Sequence, residues 1–118
     1  YANERVAFGK PIGKFEGVQF KFADMSAEIR AMELMTYDTA RMKAEGKRHT
    51  LEAAQTKLFS ATRCTQICLE CQQVLGGNGY SKEYHVERFV RDAKLLEIGE
   101  GTNEILRMLI GGTILAQK

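Results

Sequence analysis

The sequence has no tryptophan and only one proline, Pro11, in 118 residues, so past its first dozen positions nothing in it forbids helix. No apolar run approaches the roughly 18 residues that a membrane span needs, and no charged-then-apolar leader opens the chain. Seventeen basic residues against fifteen acidic leave a formal charge of +2. That balance is too even for nucleic acid or a membrane surface to be the expected partner. Three cysteines, an odd number without a secretory mark, argue against a disulfide framework. A soluble, intracellular protein is expected.

What remains is rich in Ala, Leu, Met, Glu, Lys and Gln, the straight-chain helix formers. At 44% hydrophobic, residues 1–118 read as one helical domain, large enough to bury ~65% of its unfolded-chain surface. No sheet is needed. The chain starts at Tyr1 without an initiating Met, in what reads as the last turns of a helix, so a C-terminal fragment of a longer polypeptide is expected. Two glycines and Pro11 then make Phe8-Gly9-Lys10-Pro11-Ile12-Gly13 a corner between helices.

Phe15, Val18, Phe22, Met25, Ile29 and Met32 follow one another at steps of three and four, with Phe20, Ala23, Ala27, Ala31 and Leu34 as a second apolar stripe. This predicts a helix over 15–45, buried on more than one side. Gly46 ends it, and the Lys47-Arg48-His49 cluster reads as a solvated helix end. Thr50 is placed to cap a second helix running to Leu75 and stopped by Gly76-Gly77-Asn78-Gly79. A third helix is expected over 83–92. A fourth, opened by Thr102, is expected to run to the chain end through Ile105, Leu106, Leu109 and Ile110. Short loops between them make an all-α, up-and-down four-helix bundle.

Few patterns here carry chemistry alone. Cys64, Cys68 and Cys71 have the x3, x2 spacing of an iron–sulfur ligand set, but they fall at i, i+4 and i+7 of a helical run. They therefore read as one packed face. Neither His49 nor His85 has a glutamate three residues before it, so a di-iron bundle fails and no metal is expected. Gly76-Gly77-x-Gly79 follows a helix rather than a strand, which excludes both the dinucleotide fingerprint and the P-loop. In Gly99-Glu100-Gly101-Thr102 a carboxylate stands between two glycines at a helix mouth. There the orphan amides and the helix dipole favour a negative neighbour.

Four motifs in order give the chain a resemblance over nearly its whole length. They are Arg5-Val6-Ala7-Phe8-Gly9-Lys10-Pro11-Ile12, Gln73-Val74-Leu75-Gly76-Gly77-Asn78-Gly79-Tyr80, Glu87-Arg88 with Arg91-Asp92-Ala93, and Glu100-Gly101-Thr102-Asn103-Glu104-Ile105. The chain is similar to the C-terminal helical domain of the acyl-CoA dehydrogenase flavoproteins. The resemblance implies a four-helix bundle assembled as a homotetramer, with FAD at the subunit boundary. Arg5 would meet the FAD pyrophosphate, and Phe8 and Phe15 would pack on the cofactor. Gln73, Gly76 and Gly77 would contact its adenosine end, while Thr102, Asn103 and Glu104 would hold the FAD of their own subunit. Glu100 occupies the family's catalytic-base position, and Glu100 with Gly101 would line the substrate site.

The implied reaction is α,β-dehydrogenation of an acyl-CoA, with an electron-transfer flavoprotein as acceptor, in a bacterial cytoplasm or the mitochondrial matrix. Two positions depart from the family pattern: Gly99 replaces a bulky residue, which would open the acyl pocket, and Glu16 replaces a glutamine. The rival reading keeps the fold without this chemistry, as a non-catalytic oligomerisation module or a flavin monooxygenase-like relative. Glu100 discriminates, since neither rival needs a carboxylate there.

Overall fold

The computed structural model describes residues 1–116. The chain opens with a turn in which the Arg5 N–H reaches the Tyr1 carbonyl at 2.8 Å. A two-stranded antiparallel ribbon follows, β1 (Val6–Ala7) paired with β2 (Lys10–Pro11). This corrects the sheet-free expectation and the helix-to-helix corner. The two-residue loop Phe8-Gly9 has both residues at positive φ, +50° and +80°, the backbone twist that joins two short strands tightly. A 3-10 turn over Ile12–Lys14 leads into the helices.

Four long helices make the body: α1 (Glu16–Ala44), α2 (Thr50–Leu75), α4 (Val86–Leu96) and α5 (Asn103–Ala116), with the single-turn α3 (Gly77–Tyr80) between α2 and α4. The domain is all-α in its body, as the spacing predicts. The expected run of the last helix to the chain end lies, past Ala116, outside the described residues. Thr50 is not a cap: it is the first residue inside α2, behind His49 at the cap position with no side-chain bond. The third long helix is displaced from 83–92 to Val86–Leu96 because His85 sits at φ +52°, a left-handed conformation no helix can pass through. Gly76, at φ +60°, ends α2 as expected, but the next residues wind into α3. A side chain at Gly79 would collide with the Gln72 carbonyl, so that turn packs back on α2 through bare backbone.

Helix α2 is the hub. α1, α4 and α5 each make their main packing against it, the α2–α4 contact being the most extensive. Ala54 and Ala61 are buried on α2, Val86 and Ala93 on α4, each pair seven residues apart and so on one face. Small residues on both stripes let the helices approach closely. Met25 from α1 and Leu106 from α5 complete the buried apolar set.

The expected burial of α1 on more than one side is not observed. Among its residues only Met25 is buried, and Phe20, Phe22, Ile29, Leu34 and Tyr37 stay exposed. The periodicity was real, but among the described helices α2 alone packs extensively against this one, beside the 3-10 turn at its start. The chain exposes 8390 Å², about 2000 Å² more than a compact monomer of its mass. It buries about 56% of its unfolded-chain surface rather than ~65%.

Candidate functional site

The residues singled out by the motifs gather at two places along α2. At its C-terminal end the opening segment is stitched down. The Tyr1 hydroxyl donates to the Leu75 carbonyl at 3.3 Å and accepts from Asn78 Nδ2 at 3.1 Å, and the Ile12 N–H reaches the Arg5 carbonyl at 2.8 Å. These ties bring six expected residues together. Phe8, Phe15 and Gln73 line one cleft of about 370 Å³. Arg5, Gly76 and Gly77 line its neighbour of about 350 Å³, and Ile12 and Val74 form the wall between them.

The surface there is open. Phe8 is 95% exposed at the ribbon tip, edge-on to Phe15 with ring centroids 6.3 Å apart. Lys10 Nζ stands 4.3 Å from the Phe15 ring centroid, within cation–π range. The Arg5 guanidinium forms no ion pair and donates no hydrogen bond among the described residues. Beyond the chain immediately around them, no heavy atom lies within 4 Å of where a Cβ would stand on Gly76 or Gly77, so a ligand can reach this backbone. A free arginine beside bare backbone and an exposed aromatic suits an anionic, flat cofactor.

The second place is the turn between α4 and α5. The Gly99 N–H returns to the Leu95 carbonyl at 2.7 Å, and the Asn103 N–H reaches Glu97 O at 3.0 Å, closing the loop. Between these bonds Glu100 sits at φ +57° and Gly101 at +100°. A left-handed residue with a side chain costs about 1–2 kcal/mol. The structure holds Glu100 there by its surroundings: Lys57 Nζ donates to the Gly99 carbonyl at 2.6 Å and to the Gly101 carbonyl beyond. The Glu100 carboxylate is exposed and enters no ion pair among the described residues. Its own N–H has no backbone acceptor there either.

Thr102 caps α5 as the sequence predicts, its Oγ1 accepting the Ile105 N–H at 3.3 Å. The bond uses the hydroxyl as acceptor and leaves its proton to give. Glu104 points outward, 3.6 Å from Arg107. Asn103 lies inward of the helix mouth. It is 4% exposed, its N–H is spent on Glu97, and its Nδ2 donates to Thr62 Oγ1 at 3.2 Å on α2. Its Nδ2 thus joins α5 to α2, while its Oδ1 is buried without a partner among the described residues.

Lys57 was absent from the sequence reading. A lone lysine in a helix carries no local signal, and the carbonyls it meets lie 42 and 44 residues away. The three cysteines line α2 as free thiols, and no group of His, Cys, Asp or Glu among the described residues could hold a metal ion. Burial first, then the neighbouring Cys64, pushes the Cys68 thiol up to about 11. It is therefore protonated at neutral pH and a poor nucleophile.

The family described as "Acyl-CoA dehydrogenase, C-terminal domain" matches residues 1–115. A probable acyl-CoA dehydrogenase of Bacillus subtilis is 49% identical over 115 residues, 98% of this chain and 30% of its own length. The butyryl-CoA dehydrogenase structure of Megasphaera elsdenii superposes with a TM-score of 0.95 at 44% identity, over 98% of this chain and 30% of that one. The FAD complex of PigA superposes at 0.93 with 27% identity, over 100% of this chain and 31% of that one. The chain thus spans less than a third of the length of the relatives it matches. It belongs to the acyl-CoA dehydrogenase family, as a C-terminal domain.

Proposed function

We propose that this chain is the base-carrying, FAD-binding domain of an acyl-CoA dehydrogenase that removes hydrogen from the α and β carbons of an acyl-CoA thioester. The observation that carries this reading is the Glu100 turn, a free carboxylate at positive φ, clamped through its flanking carbonyls. Strained backbone persists only where its surroundings over-determine it, and such residues cluster at active sites.

Glu100 takes the α-proton on its carboxylate, and its unpaired N–H is free to polarise the thioester carbonyl as negative charge develops there. A thioester α-hydrogen is a weak acid, so the base gains strength when water is excluded. This chain leaves Glu100 exposed; the walls that dry the site belong, in this proposal, to segments outside it. FAD bound against the domain supplies the acceptor for the β-hydride. Arg5 neutralises its diphosphate, Phe8 and Phe15 cover an apolar face, and Gln73, Gly76 and Gly77 meet the adenosine end. Thr102 and Glu104 present polar groups at the other place.

The two places stand about 24 Å apart along α2, taking Lys57 to Gln73 at 1.5 Å per residue. That separation supports one copy of the domain supplying the Arg5 end, and another the Glu100 turn, to the same cofactor. The homotetramer is supported by the uncovered apolar face of α1. An electron-transfer flavoprotein as acceptor, and a setting in the bacterial cytoplasm or mitochondrial matrix, complete this proposal; relatives occur in bacteria and in mitochondria. No described helix is long and apolar enough to cross a membrane.

The test is Glu100→Gln in the full-length flavoenzyme. It keeps its FAD, and anaerobic bleaching of the flavin by butyryl-CoA or isovaleryl-CoA slows by about 10³-fold, within the range that general-base catalysis supplies. Undiminished bleaching with both thioesters overturns the base assignment, whereas a parent whose bound flavin is bleached by neither favours a non-catalytic module.

A further inference from the structure

Lys57 is half-buried in the second turn of α2, and its ammonium sits between the two carbonyls that flank Glu100. No ion pair joins Lys57 to the Glu100 carboxylate among the described residues. The lysine thus grips the backbone on either side of the carboxylate without neutralising it. Two successive positive φ angles, at Glu100 and Gly101, turn both carbonyls toward one point. An ammonium has several donors on one small head, which suits it to that point. The loop's far end is held by the same helix, where Asn103 Nδ2 meets Thr62. Helix α2 therefore fixes the backbone from which the Glu100 side chain departs.

We infer that Lys57 is a positioning residue for the reaction. Its ammonium locks the Gly99–Gly101 backbone so that the Glu100 carboxylate and N–H are presented together, and it does not itself touch substrate or cofactor. This rests on the reading of Glu100 as the base. A base displaced by about 1 Å loses up to about 10²-fold in rate. A lysine that served only to seal the end of α4 would instead affect folding and FAD content.

The experiment compares Lys57→Met, Lys57→Arg and Glu100→Gln in the full-length flavoenzyme. It reads FAD content, and the anaerobic bleaching rate and half-saturation with a panel led by butyryl-CoA and isovaleryl-CoA. Lys57→Met is expected to keep its FAD and its half-saturation within about threefold while the limiting bleaching rate falls about 10- to 100-fold. Lys57→Arg, which keeps charged donors, recovers most of the rate. A limiting rate within twofold of the parent in Lys57→Met, alongside a slow Glu100→Gln, overturns the Lys57 inference alone. A fast Glu100→Gln overturns the base reading and this inference with it. If Lys57→Met fails to hold FAD, Lys57→Gln is judged by the same readouts. Loss of FAD in both, with Lys57→Arg like the parent, overturns the positioning role in favour of a structural one.

Discussion

At the C-terminal end of α2, Arg5 and Gln73 stand in solvent without a side-chain partner among the described residues, and Phe8 juts from a two-residue loop. Around Glu100, by contrast, Lys57 and Thr62 tie the turn to α2 from two sides. An exposed guanidinium loses little by waiting for a ligand, because water satisfies it meanwhile. A base must already be aimed when its substrate arrives. On the proposed reading, the same helix supports one surface that a ligand completes and one arranged in advance. The first is expected to govern cofactor affinity and the second to govern rate.

Glu100→Gly breaks that division most severely. It removes the proposed base, so flavin bleaching by acyl-CoA in the full-length flavoenzyme is expected to fall by about 10³-fold. It also relieves the left-handed strain of about 1–2 kcal/mol, against roughly 0.4–1 kcal/mol for the extra freedom of glycine in the unfolded chain. The net expectation is a protein about 0.5–1 kcal/mol more stable and nearly inactive, read by denaturant titration beside the bleaching assay. If the variant proves less stable instead, the carboxylate was contributing to the fold and the turn is not strained for function.

Arg5→Met sharpens the other side. The stem is kept while the charge-assisted bonds are lost, each worth about 1.5–3 kcal/mol. FAD affinity is then expected to fall about 10- to 100-fold in equilibrium dialysis. Once the sample is saturated with FAD, the limiting bleaching rate should stay within a few-fold of the parent. A large rate loss at full occupancy would show that the two surfaces are not separable.

Much of this was legible in advance because it is local. Apolar spacing placed α1 and α2 within a residue of Glu16–Ala44 and Thr50–Leu75, Gly76 marked the end of α2, and Thr102 was recognisable as a cap. The ribbon escaped because two-residue strands are too short to show alternation, and Phe8 is an unusual residue at positive φ. Periodicity shows which residues of α1 are apolar but not what covers them, so its exposed face went unread. Asn103 is read at the helix mouth from sequence, but its bond to Thr62, 41 residues earlier, carries no local signal. Lys57 was invisible for the same reason.

The smallest expected effect is a pH dependence confined to the tethered turn. Glu97 lies three residues before Glu100, and the Lys94 ammonium, 2.9 Å away, holds its carboxyl below the ordinary 4.5. Folding favours the ionised form, so this contribution is complete above about pH 4.5 and is lost as pH falls through the lower folded value. Glu97→Gln cannot titrate. The Tm difference between parent and variant should therefore hold level from about pH 8 down to about pH 5 and shrink below that, by a degree or two at most for a pair whose lysine is exposed. Raising the salt should narrow the plateau difference, because the pair is screened. A difference unchanged down to about pH 3 would mean that the charge on Glu97 does not hold the turn. The backbone bond from Asn103 to the Glu97 carbonyl and the grip of Lys57 would then account for its order.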